Sequence, residues 1–207
     1  MLGTYRALWL NDTGDLEVID QRYLPFEKRI RVLKTAVDAC QAIKDMTVRG
    51  AGVIGNVAAF GVYLAAREFS GDKQKIEQAA LHIRAARPTA VNLMWAVDHM
   101  LHIVKTSTDV VNDCKAEAIR QTDEDVRRTQ AIGNIGADII ENIMLKKKIN
   151  QFNILTHCNA GWLAIVDSGS ALAPIYEAHK RGINIHVWVD ETRPRNQGAN
   201  LTSWELQ

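Results

Sequence analysis

Phe152-Asn153-Ile154-Leu155-Thr156, then His157-Cys158-Asn159-Ala160-Gly161, then Ile183 to Val189 behind Arg181-Gly182, is the stretch of this 207-residue chain whose reading decides the fold. The first five residues predict a buried strand and the next five a loop. A helix is expected from about Leu163 to Lys180, closed by Gly182, where a helix can turn left-handed at little steric cost. Ile183 to Val189 is apolar enough for a second strand. Strand, helix and strand over roughly forty residues make a parallel crossover unit. One such unit is only the beginning of an α/β sheet.

Upstream the texture is helical. Residues 5–18 alternate loosely around Asn11-Asp12-Thr13-Gly14-Asp15, which predicts a β-hairpin. From Pro25, the spacing of Ile30, Leu33, Ala36, Val37, Cys40 and Ile43 predicts a helix ending near Met46. Further helices are expected over Ala51–Phe69, around Ile76–Ile83, and from Thr89 to Val104. One long helix or two should fill Asp109–Lys148, with Ala118, Ile119, Val126, Ile132, Ile139 and Ile143 turned inward. The expected organisation is therefore a mainly helical domain over residues 1–149 and the first part of an α/β domain over 150–207.

Composition narrows the function. Apolar residues are 47% and charged residues 24%, with 25 basic against 24 acidic side chains, so the net charge is +1. No global field favours nucleic acid or an anionic membrane, and a charged ligand must be held by a local site. Cys40, Cys114 and Cys158 are too few and too widely spaced for a disulfide framework or a zinc site, which suits a reducing compartment. The opening Met1-Leu2-Gly3-Thr4-Tyr5 has no charged-then-apolar targeting pattern. Gly50–Ala66 is too short and too rich in small residues for a bilayer span. The expectation is a cytoplasmic protein with no membrane or nucleic-acid partner, and no metal.

Gly50-Ala51-Gly52-Val53-Ile54-Gly55 matches the dinucleotide pattern G-x-G-x-x-G literally. That fingerprint needs a strand in front of it, and here a helical stretch precedes it. Gly52 and Gly55 read instead as small residues where helices pack closely. Arginine before a helix start recurs, at Arg49 ahead of Gly50-Ala51, at Arg87 ahead of Pro88-Thr89, and at Arg193 and Arg195 ahead of Gln197-Gly198-Ala199. Singly, each is a surface arginine near a cap. Together they predict an anion site, because free helix N–H groups and guanidinium forks are what a phosphate needs. Cys158 is the chemical candidate, since a helix starting just after it would lower its thiol pKa. Cys40 and Cys114 read as buried and inert. Asp190-Glu191 ends the second strand, where α/β folds present ligand-facing groups, although a pair with Arg193 or Arg195 reads equally well.

Four segments carry a resemblance. Met46-Thr47-Val48-Arg49-Gly50-Ala51, Ala86-Arg87-Pro88-Thr89-Ala90-Val91-Asn92-Leu93, Thr156-His157-Cys158-Asn159-Ala160-Gly161 and Asp190-Glu191-Thr192-Arg193-Pro194-Arg195-Asn196-Gln197-Gly198-Ala199 resemble the methylthioribose-1-phosphate isomerase family. Its wider superfamily includes ribose-1,5-bisphosphate isomerases and regulatory subunits of the translation-initiation guanine nucleotide exchange factor. The resemblance implies a helical domain with a β-hairpin, a Rossmann-like α/β domain, a homodimer, a sugar-phosphate substrate and no cofactor. It places Arg49, Gly50, Ala51, Arg87 and Gln197 at substrate- and phosphate-binding positions and Cys158 at the catalytic cysteine. The sequence departs from the family at Gly52, where a proline is common. The family's catalytic aspartate, in a Gly-Ala-Asp motif, and an Asn-Lys pair are placed beyond Gln207. The chain is thus expected to be the front part of such an enzyme, inactive or partner-dependent by itself. A non-catalytic regulatory subunit and an isomerase of ribose 1,5-bisphosphate are the alternatives.

Overall fold

The computed structural model describes residues 6–207, and Met1–Tyr5, with the reading made of them above, lie outside the described residues. The chain divides into two compact units. Residues 7–124 form one, and residues 125–207, with Arg6, form the other. The division falls inside a long helix, ahead of the junction near residue 150 that sequence texture suggests.

In the first unit, strands β1 (Leu8–Leu10), β2 (Leu16–Asp20) and β3 (Arg29–Leu33) form an antiparallel meander. The expected hairpin is β1–β2, with Leu8 opposite Val18. Its turn is held by the Asn11 side-chain carbonyl, which accepts from the Thr13 and Asp15 N–H groups. The third strand corrects the helix expected from Pro25 onward. In Arg29-Ile30-Arg31-Val32-Leu33, β-branched residues alternate with arginines, and pairing with β2 outweighs the helical spacing. Helix α1 (Ala36–Lys44) starts where Thr35 and Asp38 make a reciprocal capping box.

Helices α2 (Ala51–Glu68), α3 (Lys73–Arg84) and α4 (Val91–Thr106) follow. Every residue of α2 from Gly52 to Ala66 is buried, so it is the central helix of this unit. Asn56 does not break it, because its amide donates to the Gly52 carbonyl and accepts from the Thr122 hydroxyl. A Cβ added at Gly55 would lie 3.3 Å from the Asn92 carbonyl oxygen. The first turns of α2 and α4 therefore touch, as the small-residue reading of Gly55 requires. At their other ends, Lys73 donates to the carbonyls of Lys105 and Ser107. Thus α2 and α4 run parallel, with α3 returning between them.

Helix α5 (Val110–Lys147) is a single helix that leads into the second unit. There its inward side is not the one expected. Ile132 and Ile139 are exposed, while Ala137 and Ile140 are buried. The reason is close approach by helix α6 (Ala173–Lys180): a Cβ at Gly136 would meet Pro174 Cγ at 2.4 Å. Strands β4 (Phe152–His157) and β5 (Ile185–Asp190) pair in parallel, Phe152 opposite Ile185 and His157 opposite Asp190. Ile154 and Ile185 pack with Ala137, Ile140 and Ala178 on one face. The crossover helix is shorter than expected, starting at Ala173 rather than Leu163. Asp167 and Gly169 take positive φ, and Ser170 N–H reaches back to the Ala160 carbonyl, so residues 158–172 fold as a turn-rich loop. A π-helical turn (Gly198–Thr202) runs into α7 (Ser203–Glu205). No helix among the described residues is long and apolar enough to cross a membrane.

Candidate functional site

The candidate residues fall into two groups, one in each unit. In the first unit, Gly50 takes φ +88 and precedes α2, a left-handed conformation that strains any residue with a Cβ. No side chain caps α2, and none caps α4, whose N-cap is Ala90. Neither helix has an acidic residue in its first turn. Two helix starts thus stand side by side with N–H groups and dipole ends unmet by a protein anion. Arg49 and Gly50 lead into one, and Arg87 precedes the other. Pro88 lies ahead of the α4 N-cap, Ala90.

Arg87 supplies the sharpest observation. Its Nη1 is buried and has no hydrogen-bond partner. A shielded, unpaired guanidinium nitrogen costs free energy that a bound anion would recover. Gly50 is half-buried and Ala51, the first residue of α2, is exposed, so the helix start is open to such an anion there.

In the second unit, Cys158 follows β4 and takes φ +63. Because α6 begins only at Ala173, no helix start lies directly after the thiol, and the dipole argument made from sequence does not apply. The loop is held in another way. The Thr202 hydroxyl donates to the Cys158 carbonyl at 2.6 Å, and the buried Asn159 amide donates to Thr202 Oγ1 and to Glu205 Oε1. Cys40 and Cys114 are buried as expected, and burial pushes the Cys114 thiol up to about 12. Cys158 is the partly accessible cysteine of the three.

At the end of β5, Asp190 and His157 face one another at 3.7 Å. Glu191 behaves differently from either expectation. Its carboxylate accepts from the N–H groups of Thr192, Gly198 and Ala199. Desolvation opposes its ionisation, but those three N–H groups and the Arg193 charge prevail and hold its carboxyl below the usual range. The third arginine-flanked start is thus occupied by the protein's own anion, leaving the α2 and α4 pair as the anion-binding candidate. At Gln197, Thr192 Oγ1 donates to the side-chain Oε1 at 2.7 Å, which turns the amide nitrogen away from Thr192. Sequence reasoning missed Thr202 and Glu205. Their signal was only polar residues among apolar ones in Leu201-Thr202-Ser203-Trp204-Glu205.

A literal Gly136-Ala137-Asp138 does occur, but on α5, where Asp138 pairs with Arg181. Among the described residues, no group of three or more His, Cys, Asp or Glu could hold a metal ion.

Residues 39–207 match the family described as Initiation factor 2 subunit family. A methylthioribose-1-phosphate isomerase of Sulfurimonas denitrificans is 57% identical over all of this chain and 58% of that protein. One from Desulfatibacillum aliphaticivorans is 48% identical over 98% of this chain and 57% of its own length. Among solved structures, 5-methylthioribose 1-phosphate isomerase from Pyrococcus horikoshii matches with TM-score 0.82 and 36% identity, over 97% of this chain and 56% of that one. The translation initiation factor eIF-2B subunit delta from A. fulgidus matches with TM-score 0.85 and 34% identity, over 97% and 58%. The chain spans a little under three-fifths of the length of each of these proteins.

Proposed function

We propose that this chain, which belongs to the Initiation factor 2 subunit family, carries the phosphate grip and the reactive thiol of a 5-methylthioribose 1-phosphate isomerase. The buried, unpartnered Arg87 Nη1 beside two uncapped helix starts carries this reading. Likeness of fold does not choose between catalyst and regulatory subunit, because the two solved structures match about equally well. Sequence identity favours the isomerase, at 57% against 34%.

In the proposed reaction the C1–O ring bond breaks and the ring oxygen takes up a proton. Hydrogen moves from C2 to C1, and the C2 hydroxyl gives up its proton as the ketone forms. The conversion is redox-neutral overall. Arg49 and Arg87, with the N–H groups at Gly50 and Ala51, hold the phosphate and disperse its charge. Cys158 shares the proton transfers with an acidic partner, the aspartate that the family resemblance places outside these residues. Gln197 donates its amide N–H to a sugar oxygen. No cofactor is invoked. In terms of function we assign residues 1–149 to the phosphate-holding helical domain and 150–207 to the first part of the Rossmann-like domain. We place the protein in the cytoplasm as a homodimer.

Isothermal titration with 5-methylthioribose 1-phosphate, ribose 1-phosphate and ribose 1,5-bisphosphate tests the reading. The methylthio sugar should bind at least about tenfold more tightly than the bisphosphate, a difference of ~1.4 kcal/mol. Tighter binding of the bisphosphate would reassign the substrate, and no binding of any of the three would defeat the proposal. Cys158→Ser should keep the affinity within about threefold, because the thiol serves the chemistry rather than the grip.

A further inference from the structure

The carboxylate of Glu205 has no part in the chemistry proposed above, yet three groups of the Cys158 loop and its flanking helix converge on it. Oε1 accepts from the Asn159 side-chain amide at 3.0 Å and from the Leu163 N–H at 3.2 Å. Oε2 accepts from the Tyr176 hydroxyl. Asn159 also donates to Thr202 Oγ1, whose hydroxyl in turn donates to the Cys158 carbonyl. Gly161 leaves the space this requires, since a Cβ there would lie 1.6 Å from Glu205 Oε2. Trp204 packs its ring on Trp162, 5.8 Å between centroids, which ties the same turn of α7 to the same loop.

We infer that Glu205 is the positioning residue for Cys158, holding the thiol-bearing backbone in its left-handed conformation through Asn159 and Thr202. A cysteine at φ +63 sits in a region that L-residues avoid, and such a conformation persists only when its surroundings over-determine it. Here both the residue's own carbonyl and the next side chain are tied to one short segment, Thr202–Glu205. The network is also shielded: Thr202 is fully buried and Asn159 nearly so. Burial raises the Tyr176 phenol well above its ordinary range, and the Glu205 charge and hydrogen bond push the same way, so Tyr176 remains a donor at every physiological pH. An ionised carboxylate meeting three donors is a rigid anchor, because each charge-assisted bond is stronger than its neutral counterpart. In the proposed reaction Glu205 is given no contact with the substrate. It sets where the sulfur points, and so the inference rests on Cys158 being the reacting thiol.

The test needs no sugar, and its failure is therefore separable from failure of the isomerase reading. Cys158 is labelled with iodoacetamide in the folded protein, and the site is read by peptide mass. Cys40 and Cys114 report opening of the first unit, and amide exchange of β4 reports opening of the second. Glu205→Ala should raise the Cys158 labelling rate by at least about tenfold, with β4 still protected and the other two cysteines unlabelled. Glu205→Gln keeps an acceptor at the same reach and should return the rate to within about threefold of the parent. Thr202→Val removes the donor to the Cys158 carbonyl and one acceptor of the Asn159 amide, leaves Glu205 in place, and should reproduce the rise. An unchanged rate in Glu205→Ala overturns the inference, and so does a rise matched by loss of β4 protection. Should Glu205→Ala not fold, the same two readings on Thr202→Val decide the matter.

Discussion

Arg87 and Gly161 show how much of the account rests on single residues. A buried guanidinium nitrogen without an acceptor is a local cost of about 1–3 kcal/mol or more, and here it stands beside helix starts that lack caps. Arg87→Ala should therefore weaken phosphate-ester binding by at least about tenfold without lowering the melting temperature, since a buried nitrogen without a partner is removed with it. Calorimetric titration beside thermal unfolding checks both halves of that statement. Gly161 has the opposite signature. Its missing Cβ is the space that the Glu205 carboxylate occupies, so Gly161→Ala should destabilise the protein by about 1–3 kcal/mol. A melting temperature equal to the parent's would mean that the loop adapts freely. Among the cysteines, the thiol pushed up to about 12 at Cys114 should stay unlabelled at pH 8, where Cys158 reacts.

At the scale of elements, α4 and α5 are joined by a charged cluster whose pH dependence has a definite sign. Hydrogen bonds from Arg120 above all hold the Glu117 carboxyl down at about 2, burial opposing and His99 and Gln121 assisting. A depressed carboxyl contributes stability above its unfolded value near 4.5 and loses it as pH falls toward 2. The difference in melting temperature between the parent and Glu117→Gln should thus be largest above pH 5 and shrink steadily toward pH 2. A pH-independent difference would contradict the assignment. Elements were legible where a local signal and the tertiary packing agreed. The extent of α2, the turn at Asn11–Asp15 and the parallel strands β4 and β5 could be read directly. Reading failed where a helical spacing competed with strand pairing, as in Arg29–Leu33. It failed again after Gly161, because the positive φ at Asp167 and Gly169 that stops a continuous helix comes from long-range folding back onto Ala160. The inward side of α5 was misread for a related reason. Close approach at Gly133 and Gly136 favours small residues, whereas periodicity alone favours the large isoleucines.

At the scale of the whole molecule, each unit presents a different half of the proposed chemistry. The candidate anion site could be proposed from sequence because arginine before a helix start has a simple electrostatic meaning. The support for Cys158 was not, because Thr202 and Glu205 reach it over more than forty residues of sequence. The second unit also has a two-stranded parallel sheet with one face bare: Leu155 and Trp188 are 67% and 59% exposed on it.

The central claim is that the arginine-flanked starts of α2 and α4 hold the phosphate of a sugar ester. Its most direct test is calorimetric titration of 5-methylthioribose 1-phosphate into the parent and into Arg87→Ala. The parent should bind the sugar phosphate, and Arg87→Ala should need at least about tenfold more ligand for the same saturation. Equal affinities of the parent and Arg87→Ala would contradict the account.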